Sequence, residues 1–394
     1  MRVAIVGGGQ LARMMAPCFE ELGIDARVLV EAIGVSADQV YQDTVVGAAG
    51  SLDSVRRIVY GLDSTVLSKA DVLTFEHEHV PSAIIEQISS EGFKVFPSSD
   101  ALQYAQDKLK MREKLHQEGL PCPKFARIGS ERDLVKFFDV LQAKGQARDQ
   151  AKEVVLKLPR GGYDGKGVEI IDTPSSKLAA KWLSKFDSIL AEEKVDFAFE
   201  ASSIVVRSST GEIKAYDTVL SHQENGVCRY VIAPAPDLDQ SLQKKAQDIA
   251  VEVATKLGVV GVLAVEMFFT KTGEFLINEL AMRPHNTGHW TINGAVTSQF
   301  ENHIRAVLGL KLGSTSRINP EHFTVMANIL GSKRGQLSEA IPAALAHNSC
   351  AKINLYGKEI REGRKLGHVN ISGKDARRLL EDALWIATLF EGKH

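Results

Sequence analysis

The chain contains little cysteine, and none of it is arranged in pairs. Only four cysteines occur in 394 residues, Cys18, Cys122, Cys228 and Cys350, and no Cys-x-x-Cys spacing is present. This scarcity argues against a zinc site and against a disulfide framework. It predicts a protein of the reducing cytoplasm, where cysteines remain thiols.

Long apolar runs and an excess of one charge are also missing. No stretch of 18 apolar residues could span a bilayer, and Met1-Arg2 leads directly into a strand-like run instead of a signal-peptide segment. Lys and Arg number 47 against 49 Asp and Glu, which gives a net charge of −2. Without a basic block, the sequence predicts neither a nucleic-acid partner nor a membrane. A hydrophobic content of 44% is enough for a sizeable core in two or three domains.

Strand-like and helix-like segments alternate in the first hundred residues. Strands are predicted over residues 3–6, 26–30, 71–75 and 94–96, with helices from Gln10 and after Pro81. This alternation is typical of a small parallel-sheet domain. A further helix is predicted over residues 99–118, capped by Ser98 or Ser99 and stopped by Gly119 and Pro121.

The remaining chain is richer in strands. Thr210-Gly211 and Asn225-Gly226 are hairpin signals between long strands. We predict an α/β fold, α+β in part, with four units. These are a Rossmann-like parallel-sheet domain (1–98), a lid-like subdomain (99–190), a central antiparallel-sheet domain (191–315) and a small β-rich subdomain with a terminal helix (316–394).

A glycine-rich loop follows a strand-like run that ends in Lys157. Its sequence from residue 157 is Lys-Leu-Pro-Arg-Gly-Gly-Tyr-Asp-Gly-Lys-Gly. Glycines let backbone N–H groups face an anion, and Lys157 and Lys166 add positive charge, so the loop predicts a phosphate site. The spacing is not the Walker pattern. Taken alone, the loop could also be a surface hairpin turn.

Two glutamates lie on a predicted β-hairpin. The runs 261–269 and 274–280 are apolar and are separated by Lys271-Thr272-Gly273. With an even-numbered loop, Glu266 lies directly or diagonally opposite Glu279 on one face. Such carboxylates repel each other unless a cation lies between them, and magnesium bridging nucleotide phosphates is the natural candidate. The alternative is that Glu279 is a surface residue at a strand end.

The segment after this hairpin is dense in hydrogen-bond donors. It contains Arg283, His285, Asn286 and His289 within seven residues. Arginine offers a planar fork for a small oxyanion, and His285 and Asn286 add directional donors. The segment therefore predicts an anion site, although a lone histidine is more often part of a structural hydrogen-bond network.

The first glycine cluster permits a different interpretation. Residues 7–12, Gly-Gly-Gly-Gln-Leu-Ala, follow a strand and open a helix, and Glu31 lies where a ribose-binding acid belongs. This pattern fits the dinucleotide fingerprint of a dehydrogenase. That interpretation gives no role to Lys157, the Tyr163 loop, Glu266 or Glu279.

Taken together, these motifs resemble the ATP-grasp superfamily and, within it, the N5-carboxyaminoimidazole ribonucleotide synthetases, which are ATP-dependent carboxylases of the purine pathway. The resemblance runs along nearly the whole chain, through residues 7–11, 74–80, 161–167, 278–280, 283–286 and 363–368. It implies the ATP-grasp architecture. Ala12 stands where a glycine is usual, and Met282 and Glu362 stand where prolines are usual, which affects local loop geometry and not the reaction.

The resemblance implies which residues bind ATP. Lys108 and Lys157 would meet the phosphates. A loop would cover them through backbone N–H groups, and it consists of Gly162, Tyr163, Asp164, Gly165, Lys166, Gly167 and Val168. A strand edge formed by Glu192, Glu193, Lys194 and Val195 would read the adenine. The remaining contacts would come from Glu200 at the ribose hydroxyls, His222, and Asn278 with Glu279. Glu192, Glu193 and Glu200 could instead be ordinary surface acids.

The resemblance also implies an acceptor site. Tyr163 and Asp164 would bind the aminoimidazole, and Asp164 would receive a proton from its amine. Lys358, Arg364 and Lys365 would clamp the ribose phosphate, unless they belong to a solvated charged loop. Glu76, Gln10 and Leu11 would orient the same substrate. His77 and His79 have the alternating spacing of a metal site, but surface or packing roles are the simpler interpretation.

The expected reaction follows from these roles. Bicarbonate held by Arg283, His285 and Asn286 would attack the γ-phosphorus of ATP, with Mg²⁺ on Glu266 and Glu279, and the resulting carboxyphosphate would carboxylate 5-aminoimidazole ribonucleotide. A formate- or amino-acid-dependent ATP-grasp ligase and a catalytically silent nucleotide-binding regulator are the alternatives. The family resemblance further implies a homodimer.

Overall fold

The computed structural model describes residues 1–61, 68–142, 153–161, 167–332 and 335–393. The amino-terminal part is a parallel sheet with helices packed against it. Its elements are β1 (Arg2–Val6), α1 (Gln10–Leu22), β2 (Asp25–Val30), β3 (Thr44–Val46), α2 (Leu52–Tyr60), β4 (Val72–Phe75) and α3 (Ser82–Ser90). The strand order is β3-β2-β1-β4. β1 is buried throughout and is apolar after Arg2, as expected for the interior strand of a parallel sheet.

The predicted parallel sheet is confirmed, with two local differences. β3 and α2 were not predicted. The predicted strand over 94–96 is reduced to a single parallel bridge between Leu73 and Val95. Cα partners in this sheet run from Arg2 with Asp25 on one side of β1 to Val6 with Phe75 on the other.

The single helix predicted over 99–118 is wrong, because the structure has two helices there. They are α4 (Ser99–Gln106) and α5 (Lys108–Gln117). Asp107 between them is extended, with φ −133° and ψ 105°, and its carboxylate accepts from the backbone N–H groups of Leu109 and Lys110. An N-cap aspartate thus starts a new helix, and Lys108 becomes its first residue. Ser98 caps α4 as predicted.

The lid-like part is a four-stranded antiparallel sheet. Its elements are β5 (Phe125–Ile128), α6 (Glu131–Gln142), β6 (Val154–Lys157), β7 (Val168–Ile171), α7 (Lys177–Leu183) and β8 (Ile189–Glu193). The strand order is β5-β8-β6-β7. The glycine loop therefore connects paired strands, since Lys157 of β6 is the register partner of Val168 of β7. Loop residues 162–166, including Tyr163 and Asp164, lie outside the described residues.

The rest of the chain forms one large antiparallel sheet with helices. The next elements are β9 (Phe197–Arg207), β10 (Ile213–Ala215), β11 (Val219–Glu224), β12 (Val227–Ala233), α8 (Gln240–Lys256), β13 (Gly261–Thr270), β14 (Phe275–Ala281), α9 (Thr291–Gly294) and α10 (Gln299–Leu308). The last elements are β15 (Phe323–Leu330), α11 (Ile341–His347), β16 (Lys352–Leu355), β17 (Lys365–Gly373) and α12 (Ala376–Phe390).

The carboxy-terminal strands continue the central sheet. The described strand order is β14-β13-β9-β11-β12-β15-β17-β16, with β10 paired to β9. The hairpins predicted at Thr210-Gly211 and at Asn225-Gly226 are confirmed by the pairing of β9 with β10 and of β11 with β12. Asn225 and Gly226 have positive φ angles of 53° and 77°, as the two central residues of a type I′ turn require. The domain boundaries given above remain predictions.

Candidate active site

A cavity of about 850 Å³ lies where the amino-terminal sheet, the β13–β14 hairpin and the segment before β17 meet. Most of the site residues predicted from the sequence line it, although they come from distant parts of the chain. These are Gln10, Leu11, Glu76, Lys108, Glu200, Glu266, Asn278, Glu279, Arg283, His285, Asn286, Lys358, Arg364 and Lys365. The fold thus brings together members of each predicted group, namely the phosphate, metal, anion and acceptor residues.

The two glutamates of the β13–β14 hairpin are direct partners. Glu266 is paired with Glu279, and a β-bulge follows Glu266. Burial, reinforced by the charges of Glu279 and Glu200, raises the pKa of Glu266 to about 8. Burial also raises the pKa of Glu200, on the neighbouring strand β9, to about 7. These shifts express the cost of placing carboxylates together in a partly buried site.

The carboxylates of Glu266 and Glu279 fit a magnesium ion. They are hard oxygen donors on one face of the hairpin, and a cation would relieve the repulsion that raises the pKa of Glu266. Within the described part of the chain, no group of three or more His, Cys, Asp or Glu residues could hold a metal. A site with two carboxylates is typical of Mg²⁺ that takes its other ligands from nucleotide phosphates and water.

Two lysines stand next to this acidic hairpin. Nζ of Lys108 lies 2.8 Å from Oε1 of Glu279. Nζ of Lys157 lies 2.6 Å from Oε2 of Glu192 and donates to Oδ1 of Asn278 at 3.1 Å. Burial lowers the pKa of Lys157, and the charge of Glu192 opposes this effect. Both lysines therefore lie within side-chain reach of the face on which a triphosphate would meet the metal.

The position of Glu192 differs from the predicted strand edge. The prediction placed residues 192–195 on a strand edge, but β8 is an interior strand between β5 and β6. The Glu192 side chain is 3% exposed and is paired with Arg112 of α5 as well as with Lys157. Although burial alone would raise the pKa of Glu192, Arg112 and Lys157 lower it to about 2. The carboxylate therefore positions two cations, and neither it nor Arg112 is a surface residue.

The remaining predicted hinge residues lie at the end of β8. Glu193 pairs with Lys124 at 3.3 Å, and the backbone N–H of Lys194 donates to the carbonyl of Glu153. Val195 is half-buried just beyond the strand. Main-chain contacts of this segment with adenine remain a prediction.

Arg283 is held by a carboxylate that the sequence analysis did not assign. Its Nε lies 2.8 and 2.9 Å from the two carboxylate oxygens of Glu78, which follows β4 in the amino-terminal sheet. Nη1 of Arg283 donates to the carbonyl of Pro284, so two contacts fix the guanidinium plane. Nη2 of Arg283 completes the planar fork that could receive an oxyanion.

His285 is a neutral donor in this arrangement. Its Nδ1 lies 2.9 Å from the Thr287 hydroxyl and 3.4 Å from the backbone N–H of Thr287, and with Nδ1 as the acceptor of both, the ring proton is on Nε2. Nε2 lies 3.8 Å from Oε1 of Glu266. Burial, together with the charges of Arg283 and Lys365, lowers the pKa of His285 well below its ordinary value. At neutral pH the imidazole therefore presents one N–H beside the carboxylate hairpin.

Glu76 occupies the start of the first helix. Its carboxylate accepts from the backbone N–H groups of Gly9 at 2.8 Å and Leu11 at 3.2 Å. A side chain at position 9 would collide with this carboxylate, which explains the glycine there. The helix N-terminus that a dinucleotide pyrophosphate or a substrate phosphate would need is thus filled by the protein's own anion. This contact argues against the dehydrogenase interpretation.

The segment before β17 docks onto the amino-terminal domain. Ser36 donates its hydroxyl proton to the carbonyl of Tyr356, and Nε2 of Gln39 donates to the carbonyl of Gly357 at 2.7 Å. Lys358 then donates to Oε1 of Gln10. Lys358, Arg364 and Lys365 therefore face the cavity from a structured segment, which argues against a freely solvated charged loop.

His222 is not brought to the cavity. It is exposed on β11 and stacks on Tyr230, with ring centroids 4.7 Å apart. The neighbours Ser221 and Gln223 point to the other face, where both lie next to Glu200 and Glu266. Period-two alternation of the strand explains the difference, and Gln223 is a lining residue that the sequence analysis missed. His77 and His79 line the cavity with their rings 5.4 Å apart.

Family models match three consecutive parts of the chain. A ribonucleotide synthetase preATP-grasp domain matches residues 1–106, and an ATP-grasp domain matches residues 113–300. A phosphoribosylaminoimidazole carboxylase C-terminal domain matches residues 324–382. The fold and the site define the chain as an ATP-grasp ligase.

Comparison with similar proteins identifies the family within the ATP-grasp ligases. The N5-carboxyaminoimidazole ribonucleotide synthase of Mycobacterium bovis is 44% identical over 97% of this chain and 86% of the relative. The solved ADP complex of an N5-carboxyaminoimidazole ribonucleotide synthetase has a TM-score of 0.85 and 31% identity, covering 99% of this chain and 97% of that one. The Aspergillus clavatus enzyme, solved with ADP and 5-aminoimidazole ribonucleotide, has a TM-score of 0.85 and 28% identity over 99% and 98%. The chain belongs to the N5-carboxyaminoimidazole ribonucleotide synthase family.

Proposed function

We propose that this chain carboxylates 5-aminoimidazole ribonucleotide on its exocyclic amine, using ATP and bicarbonate, in purine biosynthesis. One observation carries the proposal. The paired carboxylates Glu266 and Glu279 line the same cavity as Arg283, His285 and Lys358, which lies in the segment before β17. A metal–nucleotide site, an anion site and a cationic acceptor site are therefore adjacent, as a reaction between ATP, bicarbonate and a ribotide requires.

The first step is phosphoryl transfer to bicarbonate. A bicarbonate oxygen attacks the γ-phosphorus, the bond to the β,γ-bridging oxygen breaks, and ADP leaves, which yields carboxyphosphate. Lys108 and Lys157 bind the phosphates and offset the negative charge. Glu266 and Glu279 would hold Mg²⁺, which supplies charge neutralisation on the phosphate oxygens when bound.

Three neighbouring side chains bind the bicarbonate. Arg283, oriented by Glu78, provides the cationic fork, and His285 provides an N–H from Nε2. Asn286, which is only 8% exposed, adds an amide donor. Because all three lie next to the β13–β14 hairpin, they place the attacking oxygen beside the γ-phosphate.

Carboxyphosphate then supplies carbon dioxide and phosphate next to the acceptor amine. The amine attacks the carbon of carbon dioxide and loses a proton, for which Asp164 is the proposed acceptor. Asp164 and Tyr163 lie outside the described residues, so their roles come from the family resemblance. The same resemblance assigns the loop from residue 162 to Val168 to covering the phosphates, which would exclude water from the mixed anhydride.

The acceptor's phosphate binds to Lys358, Arg364 and Lys365. All three line the cavity, and the segment that carries them is fixed to Gln10, Ser36 and Gln39 of the first domain. Glu76 stabilises the adjoining part of the first domain by accepting a hydrogen bond at the N-terminus of α1. Its contact with the ribotide, like those of Gln10 and Leu11, is part of the proposal.

One assay tests the function. Purified protein with ATP and Mg²⁺ is scored for ADP release while bicarbonate, formate and 5-aminoimidazole ribonucleotide are added or omitted. ADP release that requires both bicarbonate and the ribotide supports the carboxylase. Formate dependence would indicate another ribotide ligase, and absence of release under all conditions would indicate a silent binder.

Oligomeric state and compartment are part of the same proposal. Family membership supports a homodimer, which sedimentation velocity tests directly. Four free cysteines among the described residues are in keeping with a reducing cytoplasm, and cell fractionation tests this location. No helix in the described ranges is long and apolar enough to cross a membrane.

A further inference from the structure

We infer that Asn328 is a positioning residue that fixes the amide orientation of Asn286, so that one defined N–H of Asn286 remains for bicarbonate. The inference rests on the proposed function, because it specifies how the anion site is set up. Asn328 lies on β15, 42 residues from Asn286 in sequence, and the two side chains form a reciprocal amide pair. Nδ2 of Asn286 donates to Oδ1 of Asn328 at 2.9 Å, and Nδ2 of Asn328 donates to Oδ1 of Asn286 at 2.7 Å.

A reciprocal amide pair alone does not define which end of each side chain carries nitrogen. If both amides turned over together, the pair would look the same. A third contact removes this ambiguity, because Nδ2 of Asn328 also donates to the carbonyl oxygen of Cys228 at 2.8 Å. An amide oxygen in that place would face another oxygen and repel it. The Cys228 carbonyl therefore fixes Asn328, and Asn328 in turn fixes Asn286.

Asn328 is well suited to this role because it cannot move easily. It is fully buried, and its strand β15 is paired with β12 on one side and β17 on the other. The backbone carbonyl of Asn328 accepts from Nη1 of Arg229, which is also paired with the buried Glu391. Rigid neighbours such as these hold a polar side chain in one orientation at little entropic cost.

Asn286 retains limited hydrogen-bonding capacity after this pairing. An asparagine amide has two N–H donors and two acceptor lone pairs, and Asn328 takes one of each. The other N–H belongs to a side chain that lines the cavity within a short turn beside His285. If Asn286 could rotate by a half-turn, a carbonyl oxygen would replace this N–H and repel an anion. Fixing the amide therefore favours anion binding.

A double-mutant cycle tests the inference. Asn286→Ala should raise the KM for bicarbonate about tenfold or more, since a lost hydrogen bond to a charged group has that effect. Asn328→Ala should raise it by a comparable factor, while kcat and the KM for ATP stay within about twofold of the parent. The double variant should be no more than about twofold worse than Asn286→Ala, because both changes remove the same contact.

Asn370 provides a matched control. It is a fully buried asparagine on the next strand, β17, but it donates to His289 and Asn293 and not to Asn286. Asn370→Ala should leave the KM for bicarbonate within about twofold of the parent. A general loosening of the sheet would affect both variants, whereas loss of amide orientation affects only Asn328→Ala.

The possible outcomes separate this inference from the proposed function. If Asn286→Ala leaves the KM for bicarbonate unchanged, the assignment of Asn286 to the anion fails, and the positioning role fails with it. If Asn286→Ala raises this KM but Asn328→Ala does not, or if the two effects add, only the positioning role is overturned.

A measurement on the parent protein covers the case in which Asn328→Ala does not fold. Side-chain amide signals of selectively labelled asparagine can be followed by nuclear magnetic resonance, and the Asn286 signal is assigned by its loss in Asn286→Ala. Bicarbonate added to the ADP-bound protein should shift one of the two Asn286 amide protons and leave the other in place. Equal shifts of both protons, or of neither, would contradict a fixed amide.

Discussion

Nζ of Lys108 lies 2.8 Å from Oε1 of Glu279, although the two residues are 171 positions apart. Lys108 reaches this place because Asp107 ends α4 and starts α5. The lysine assigned to phosphate and the carboxylate assigned to metal are thus partners of each other. A metal–nucleotide complex would engage both groups together, the carboxylate through its metal and the lysine through its phosphates, which favours joint binding of metal and nucleotide over binding of either alone.

We expect Glu279→Gln to lower turnover by about two or more orders of magnitude, as is typical when a charge-stabilising group is removed. The neutral amide keeps the shape of the side chain but carries no negative charge to hold a divalent cation or to form an ion pair with Lys108. ADP release at saturating bicarbonate and ribotide measures the effect. Glu274→Gln, an exposed position on the same hairpin, is the matched control and should retain parental turnover. Turnover of Glu279→Gln within threefold of the parent would remove Glu279 from the mechanism.

Binding of Mg²⁺ with nucleotide should release protons near neutral pH. Burial with the nearby Glu279 and Glu200 raises the pKa of Glu266 from 4.5 to about 8, so this carboxyl group is largely protonated at pH 7. A metal binds only the ionised form and must displace the proton. Calorimetry in buffers of different ionisation enthalpy should show proton uptake by buffer at pH 7 that disappears above pH 9. Glu266→Gln should reduce the release to the smaller share contributed by Glu200, whose pKa is about 7, and an unchanged release in that variant would assign the proton elsewhere.

The same group makes the metal-free protein less stable at high pH. Between pH 4.5 and 8 the folded state keeps a proton on Glu266 that the unfolded state has lost. Unfolding then releases protons, so the contribution of Glu266 to the free energy of unfolding falls as pH rises through this window. Glu266→Gln should therefore unfold at a higher temperature than the parent at pH 8.5, with little difference at pH 4.5. Parallel pH profiles for the two proteins would contradict the raised pKa.

Local patterns made the pairing of the two hairpin glutamates predictable, whereas contacts between residues distant in sequence could not be predicted. The pairing of Glu266 with Glu279 follows from a hairpin whose two strands are adjacent in sequence and alternate faces with a period of two. The capping of Gly9 by Glu76 joins residues 67 positions apart, and the Arg283–Glu78 pair joins residues 205 apart. Without an alignment, no periodicity in the sequence links such partners. The interruption of the helix at Asp107 is not predicted from the sequence, because the neighbouring residues favour one continuous helix.

The Glu78–Arg283 pair should control bicarbonate binding. Glu78→Gln keeps one acceptor for Nε of Arg283 but removes the charge, and Glu78→Ala removes both, so the KM for bicarbonate should rise in the order parent, Glu78→Gln, Glu78→Ala. We expect about tenfold or more for Glu78→Ala, because loss of a buried charge partner also frees the guanidinium to turn. Glu86→Gln, on the exposed side of α3, should behave as the parent. An unchanged KM in Glu78→Ala would show that Arg283 needs no support from the first domain.

Replacement of Glu192 should lower the free energy of unfolding. Glu192→Gln leaves Arg112 and Lys157 buried without their shared anion, and breaking such a buried pair costs about 3–5 kcal/mol in free energy of unfolding. Glu193→Gln, the next residue on β8, loses only a partly exposed pair with Lys124 and should cost about 1 kcal/mol or less. Urea unfolding monitored by fluorescence measures both variants. Equal effects of the two substitutions would mean that Glu192 behaves as an ordinary surface acid.

Of two neighbouring residues on β11, only one should affect the KM for ATP when it is replaced by alanine. His222 stacks on Tyr230 at the exposed face, whereas Gln223 lies next to Glu200 and Glu266. His222→Ala should therefore keep the KM for ATP and turnover within about twofold of the parent. Gln223→Ala should raise the KM for ATP severalfold, because it removes a polar group beside Glu200, the carboxylate that we propose binds the ribose. Initial rates across ATP concentrations measure both effects. A large loss in His222→Ala with none in Gln223→Ala would mean that β11 presents the opposite face to the nucleotide, and the assignment of Glu200 on the adjoining strand β9 would then need revision, because β9 and β11 share one register.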